Sequence, residues 1–154
     1  MFKFVIFGIL LVLSSANAFW TRCADHPNAV APDHITSPAC TPERCTATRG
    51  EVLTADVLLT PIRAHNRLDV RVTAFVLGVG VPLPLEPPYD NACNHMYRNN
   101  VFVGCPTVPN VQHLWRINML LSPNYPALNN ARVRFEISEN GVVEGCVDIT
   151  ATLV

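Results

Sequence analysis

Six cysteines constrain this chain more than any other feature of its sequence. They are Cys23, Cys40, Cys45, Cys93, Cys105 and Cys146. An even number of cysteines in a secreted chain predicts a disulfide framework, here of three disulfides, and arithmetic alone allows fifteen connectivities. Zinc is the alternative use of such residues. No Cys-x-x-Cys pair is present and the five histidines show no ligand spacing, so we expect no metal site.

The first 18 residues are predicted to be a signal peptide that is cleaved from the mature protein. Lys3 supplies a positive charge, residues 4–13 form an apolar run, and Ala16-Asn17-Ala18 has the small-x-small pattern of a cleavage site. The apolar run is shorter than the roughly 20 residues that span a bilayer, which disfavours a membrane anchor. We therefore expect a secreted protein with one domain over residues 19–154, long enough to bury a core.

Alternation of apolar and polar residues predicts an all-β fold. The clearest strand runs from Arg67 to Leu77, where every second residue is apolar. Further strands are predicted over residues 51–61, 111–121, 131–137 and 142–154. Asn140-Gly141 predicts a tight hairpin before the last strand, on which Val143 and Val147 are expected to share the inward face. Short strands, hairpins and no convincing helix together predict a β-sandwich of two antiparallel sheets.

The stretch from Gly78 to Cys93 fits ordinary sheet pairing least well. Its apolar residues alternate with glycine and proline, and four prolines occur within seven residues. Because proline has no N–H to donate, these apolar side chains must lie at a sheet edge or at the mouth of a cavity. A loop packed on the core is the commoner arrangement, and the lip of an apolar cavity is the alternative. The following segment, Asn94 to Gly104, is polar and is predicted to be a loop.

Candidates for catalysis are weak, and we expect no enzyme activity. The mature part has three serines, Ser37, Ser122 and Ser138, and none lies in a Gly-x-Ser-x-Gly elbow. His113 falls on an apolar strand face beside Trp115, a pattern more typical of a core or rim histidine than of a base. The formal net charge is −1 and the arginines are scattered, which disfavours nucleic-acid binding.

Several short motifs occur in a specific order along the chain. They are the Cys40–Cys45 loop before Arg49-Gly50, Gly-Val-Gly-Val-Pro-Leu-Pro-Leu from Gly78, Asn91-Ala-Cys93, Cys105-Pro106, Asn124-Tyr-Pro126 and Gly145-Cys146. With these motifs the sequence resembles the ML (MD-2-related lipid-recognition) domain family, and within it the Niemann–Pick type C2 proteins. The absence of an Asn-x-Ser/Thr sequon and a long Cys93–Cys105 loop are more similar to invertebrate members.

The resemblance implies the disulfides Cys23–Cys146, Cys40–Cys45 and Cys93–Cys105. It implies an immunoglobulin-like sandwich whose two sheets splay around an apolar cavity, with no cofactor and no catalysis. The positions that line the tunnel of sterol-binding relatives correspond to Leu83, Leu121 and Tyr125, and Leu83 replaces an aromatic residue. Together with inward strand residues, the expected pocket contacts are Val70, Val72, Leu83, Trp115, Ile117, Leu121 and Tyr125.

These expectations indicate a secreted, monomeric carrier of a sterol, a fatty acid or a similar hydrophobic small molecule. Transient contact with a membrane or a receptor would serve to hand over the ligand. The alternative is an innate-immune module that binds a microbial glycolipid and presents it to a receptor. A small secreted hydrolase is a third hypothesis, which requires a reactive serine or His113. Without a glycosylation sequon, we expect an extracellular location rather than the lysosomal lumen.

Overall fold

Two β-sheets face each other in the computed structural model, which describes residues 19–154. The predicted signal peptide lies outside the described residues. The strands are β1 (Trp20–Arg22), β2 (His34–Thr36), β3 (Cys45–Ala47), β4 (Val52–Leu59), β5 (Asp69–Val76), β6 (Val79–Pro82), β7 (Met96–Arg98), β8 (Val101–Phe102), β9 (His113–Leu120), β10 (Leu128–Glu139) and β11 (Val142–Leu153). Within this part of the chain the one helical segment is a 3-10 turn, Ala92–His95, and no helix is long and apolar enough to cross a membrane.

The strand order confirms the predicted immunoglobulin-like β-sandwich. One sheet has the order β1-β11-β10-β5-β6, with β3 also paired to β11, and the other has the order β2-β4-β9-β7-β8. The pairings are antiparallel except for β3 with β11, which is parallel. Asn140 and Gly141 join β10 to β11 with φ angles of 52° and 80°. The predicted hairpin is confirmed, since these two residue types tolerate such angles.

A β-bulge in β11 makes the predicted orientation of Val143 wrong. Ile137 is opposite Gly145 and Ser138 is opposite Val143, so Glu144 has no partner residue on β10. An extra residue of this kind exchanges the two faces of a strand. Val143 consequently packs outside the main core, in a small cluster with Cys23, Ala29 and Cys146.

The predicted loop from Asn94 to Gly104 contains a hairpin, so that prediction is also wrong. Its strands, β7 and β8, are joined by Asn99 and Asn100, which have φ angles of 51° and 61°. Asparagine tolerates positive φ, which allows the tight turn. Strand β7 pairs with β9 and buries Met96, which is 0% exposed. The hairpin thus extends the five-stranded sheet.

Three disulfides hold the sandwich together, and their pairing is the one that the resemblance implies. Cys23 is bonded to Cys146, Cys40 to Cys45 and Cys93 to Cys105. The first bond ties the N-terminal segment to β11, and the third ties the 3-10 turn to the segment after β8. No cysteine among the described residues is free.

Candidate functional site: a cavity between the sheets

An apolar cavity with a volume of about 130 Å³ lies between the two sheets. One buried water needs roughly 10–15 Å³ on the same measure, so the cavity is much larger than an ordinary packing defect. Its walls come from the inward faces of β4 and β9 on one side and of β5, β10 and β11 on the other. Apolar cavities of this kind stay dry and bind apolar molecules.

Small side chains on the inward faces explain why the sheets leave a gap. On one sheet, Ala55 is opposite Ile117 in the β4–β9 ladder, and on the other sheet Ala131 is opposite Ala151. Ala55 and Ala151 line the cavity, together with Ala47 at the end of β3. A single methyl group cannot reach the facing sheet, so the space that a larger side chain would fill remains open.

Leu83 and Tyr125 line the cavity at the proline-rich stretch, and we call the site that they form with Pro84 the mouth, because Tyr125 is partly exposed to solvent there. Leu83 is buried against the cavity, and its N–H donates to the carbonyl of Val72 at 2.9 Å. It lies between Pro82 and Pro84, which have no N–H, so of these three residues it alone can donate a hydrogen bond to β5. Tyr125 is half-buried and its hydroxyl donates to the Pro84 carbonyl.

Burial raises the pKa of the Tyr125 phenol, and the negative charge of Glu86 raises it further. The phenol is therefore protonated at neutral pH and remains a hydrogen-bond donor.

Comparison with known proteins identifies the family. Residues 17–153 match the ML domain. The chain belongs to the ML domain family. The fold of this ML domain is similar to that in the crystal structure of a Niemann-Pick type C2 protein from Japanese carpenter ant, with a TM-score of 0.67 and 21% identity over 82% of this chain and 93% of that chain. Thirteen chains of solved structures match. No curated protein sequence matches significantly.

Membership of the ML domain family confirms the resemblance seen in the sequence and supports lipid binding by this chain. The family consists of lipid-binding carriers rather than enzymes, and its disulfide-bonded members are typically extracellular or lysosomal. The apolar cavity between the sheets of this ML domain is chemically suited to such a ligand, because its lining offers mainly hydrocarbon.

The structure brings most of the expected pocket residues of the ML domain together. Six of them line the main cavity: Val72, Leu83, Trp115, Ile117, Leu121 and Tyr125. Val70 instead lines a smaller cavity beside it. Sequence reasoning did not select several other lining residues: Leu53, Val57, Met119, Val133, Phe135, Val147 and Ile149. The alternation predicted the inward faces of the long strands, except at the bulge in β11, but which strands enclose the cavity depends on how the sheets pair.

His113 is buried in this ML domain, and both of its ring nitrogens contact the backbone. It is 1% exposed, its Nδ1 lies 2.7 Å from the carbonyl oxygen of Val111, and its Nε2 lies 3.4 Å from the backbone nitrogen of Val108. In the matching tautomer, Nδ1–H donates to Val111 and Nε2 accepts from Val108, so both ring nitrogens are engaged. Among the described residues, no group of three or more His, Cys, Asp or Glu side chains could hold a metal ion.

Proposed function

We propose that this protein is a secreted, monomeric carrier that binds a sterol or another small hydrophobic lipid between its two sheets and delivers it to a membrane or a receptor. The observation that carries the proposal is the apolar cavity enclosed by both sheets. Burial of apolar ligand surface stabilises a complex by about 25 cal/mol per Å² before the costs of association. The binding needs no cofactor, metal or covalent chemistry.

The proposed ligand contacts are the cavity residues Val72, Leu83, Trp115, Ile117, Leu121 and Tyr125, with Val70 at the adjoining space. Trp115 lies in the cavity wall, so its fluorescence reports on a bound molecule. Met119, opposite Leu53, gives the wall a flexible side chain that adapts to ligands of different shape.

The first test combines lipid extraction with fluorescence. Mass spectrometry of lipid extracted from the purified secreted protein should recover a bound hydrophobic compound. The protein has two tryptophans, so a Trp20→Phe variant leaves Trp115 as the sole reporter. A fluorescent sterol or fatty acid should then quench Trp115 saturably. Absence of both an extractable lipid and any quenching would overturn the proposal.

A matched pair of variants tests whether the cavity is the binding site. Ala55→Phe places a ring inside the cavity, whereas Thr54→Phe places the same ring on the exposed face of the same strand. Ala55→Phe should abolish ligand binding while Thr54→Phe leaves it unchanged. Equal binding by both variants would place the ligand elsewhere.

A second candidate, recognition of a microbial glycolipid, is favoured by one cation at the mouth. The guanidinium of Arg49 donates to the backbone carbonyl of Tyr125 at 3.2 Å. Arginine binds phosphate well, so lipopolysaccharide held here would bind in a salt-sensitive way that Arg49→Gln weakens. Salt-insensitive binding of a neutral lipid would favour the carrier instead.

A further inference from the structure

The main cavity offers few polar atoms to the polar group that an amphipathic lipid carries. Among its lining residues, Ser37, Tyr125 and Thr152 carry hydroxyls that each already take part in a hydrogen bond with a backbone atom, and Trp115 carries an indole N–H, which can only donate. A ligand hydroxyl left inside this cavity would lose its hydrogen bonds to water without replacement, at a cost of roughly 1–3 kcal/mol. A ligand hydroxyl in the enclosed part of the cavity therefore needs an acceptor of its own.

A second, smaller cavity of about 10 Å³ adjoins the main one. It shares five lining residues with the main cavity: Leu85, Trp115, Ile117, Met119 and Phe135. Its volume is about that of one water-sized group, so it can receive a single hydroxyl but not a hydrocarbon chain. Met119 is one of the side chains between the two spaces, and its flexibility allows them to join.

His95 is one of the residues that line this smaller cavity. Its Nε2 is shielded from solvent and has no hydrogen-bond partner among the described residues. The one other such atom in this part of the chain, Nε1 of Trp20, belongs to a residue that lines neither cavity. The imidazole stacks on Tyr89, with ring centroids 5.1 Å apart and an angle of 7° between the planes. This stacking restrains the orientation of the ring.

The surroundings of His95 determine whether Nε2 is a hydrogen-bond donor or an acceptor. Burial lowers the pKa of His95, and the backbone carbonyl of Pro88 raises it in opposition, so the net shift favours the neutral ring. A carbonyl only accepts hydrogen bonds, so the ring nitrogen that interacts with Pro88 carries the proton. Because Nε2 has no hydrogen-bond partner, we assign the proton to Nδ1. Nε2 consequently presents a lone pair and requires a donor.

We propose that Nε2 of His95 accepts a hydrogen bond from the hydroxyl group of a lipid alcohol whose apolar part occupies the main cavity. The inference rests on the proposed carrier function and names the ligand class: sterols and long-chain alcohols. An ionised fatty acid brings only acceptor oxygens to an acceptor nitrogen, and an ether or ester has no proton to donate. These ligands leave Nε2 unpaired and bind more weakly.

Binding of matched probes to the whole mature protein tests the proposal. The probes are a long-chain primary alcohol, its methyl ether and the carboxylate of the same chain length, each displacing a fluorescent lipid. The alcohol should bind about tenfold more tightly than the ether, which corresponds to about 1.4 kcal/mol. His95→Phe retains an aromatic ring beside Tyr89 but removes the acceptor, so it should abolish the alcohol preference and leave the affinity for the ether unchanged.

A control variant and a measurement on the unmutated protein complete the test. His34→Phe replaces an exposed histidine of β2 and should keep the alcohol preference. Side-chain nitrogen NMR of the unmutated protein should show the Nε2 resonance of His95 shifting on addition of the alcohol but not of the ether. A preference that survives His95→Phe, or an Nε2 resonance that does not respond to the alcohol, would overturn the inference. Binding of none of the three probes would instead overturn the carrier function itself.

Discussion

The hydroxyl of Tyr125 donates a hydrogen bond to the backbone carbonyl of Pro84, and this bond joins the β9–β10 loop to the proline-rich stretch. The neighbouring Leu83 is held to β5 through its own N–H. On the Leu83 side, the mouth is thus fixed to the sheet by a backbone hydrogen bond. On the opposite side, it is held by the side chain of Tyr125. Breaking the bond between Tyr125 and Pro84 would therefore leave the strand pairing intact.

Removing this bond should speed the passage of ligand. Tyr125→Phe keeps the aromatic ring and its apolar contacts but loses the donor. We expect ligand association and dissociation to accelerate together by several-fold, with little change in Kd, and stability to fall by about 0.5–1.5 kcal/mol. Stopped-flow measurement of Trp115 fluorescence gives both rates. Tyr97→Phe, on β7 and outside the cavity lining, is the control, and rates that equal those of the control would contradict a role in gating.

The residue at position 83 should influence which lipid shape is preferred. Leu83 is buried and lines the cavity. Leu83→Phe supplies a flat face on which a ring system can pack. We expect the affinity for a sterol relative to a linear alcohol to rise several-fold, measured by competition for one fluorescent probe. Leu120→Phe, on the exposed face of β9, should leave the ratio unchanged. If Leu83→Phe does not alter this affinity ratio, other residues of the cavity wall determine which lipid is preferred.

The sequence allowed prediction of the long strands and their inward residues, because alternation reports directly which side chains share a face. It did not allow prediction of the bulge at Glu144, since one unopposed residue exchanges the faces without a signal in residue type. The β7–β8 hairpin was not predicted either, because its residues are mostly polar and do not alternate. Strand β7 is defined by its pairing with β9.

The candidate site shows the same division between local pattern and long-range pairing. Leu83, Leu121 and Tyr125 were expected in the cavity wall because the resemblance supplied them, and they lie there. His95 was not selected, since it lies in a segment without periodicity. Its position depends on the 3-10 turn. Oδ1 of Asn91 caps this turn by accepting from the Cys93 N–H at 3.0 Å, and the Cys93–Cys105 disulfide holds the turn in place. Those are long-range or backbone features that residue types alone do not show.

The disulfides should contribute unequally to stability. Cys23 and Cys146 are 123 residues apart, whereas Cys40 and Cys45 are 5 apart. In the chain-entropy model, the long loop is worth about 4–5 kcal/mol and the short one about 2 kcal/mol. Urea unfolding of the Cys23→Ser/Cys146→Ser and Cys40→Ser/Cys45→Ser double variants measures the two losses. An equal loss in the two double variants would contradict the loop-length argument.

The tip of the β5–β6 hairpin should gain stability from a polar substitution. Leu77 has a φ angle of 50° and is 99% exposed, and Gly78 follows with a φ angle of 81°. A left-handed conformation costs an L-residue such as leucine roughly 1–2 kcal/mol, and asparagine tolerates it better. Leu77→Asn should therefore raise the free energy of unfolding by about 1 kcal/mol. Leu120→Asn, an exposed residue in a regular strand, should not stabilise the protein. A loss of stability in Leu77→Asn would contradict the turn argument.

A buried histidine and a carboxylate at the β10–β11 end of the sandwich should make stability depend on acid pH. Nδ1 of His65 lies 3.1 Å from Oε2 of Glu139, and Oε1 of Glu139 accepts from the N–H of Asn66 at 2.8 Å. The hydrogen bond with His65, followed by that with the Asn66 backbone, lowers the pKa of Glu139 below its ordinary value of 4.5. The stability that this carboxylate provides is therefore present above pH 4.5 and is lost as the pH falls through the folded-state pKa.

Replacing the carboxylate should remove this dependence. Glu139→Gln should be less stable than the unmutated protein at neutral pH, and the difference should narrow as the pH falls below 4.5, because protonation then removes the same charge from the unmutated protein. Urea midpoints measured between about pH 3 and pH 7 give the two curves. Glu43→Gln, in the exposed Cys40–Cys45 loop, is the matched control and should give a curve parallel to that of the unmutated protein. A difference between Glu139→Gln and the unmutated protein that stays constant over the whole pH range would show that the lost contacts, rather than the charge of Glu139, account for its effect.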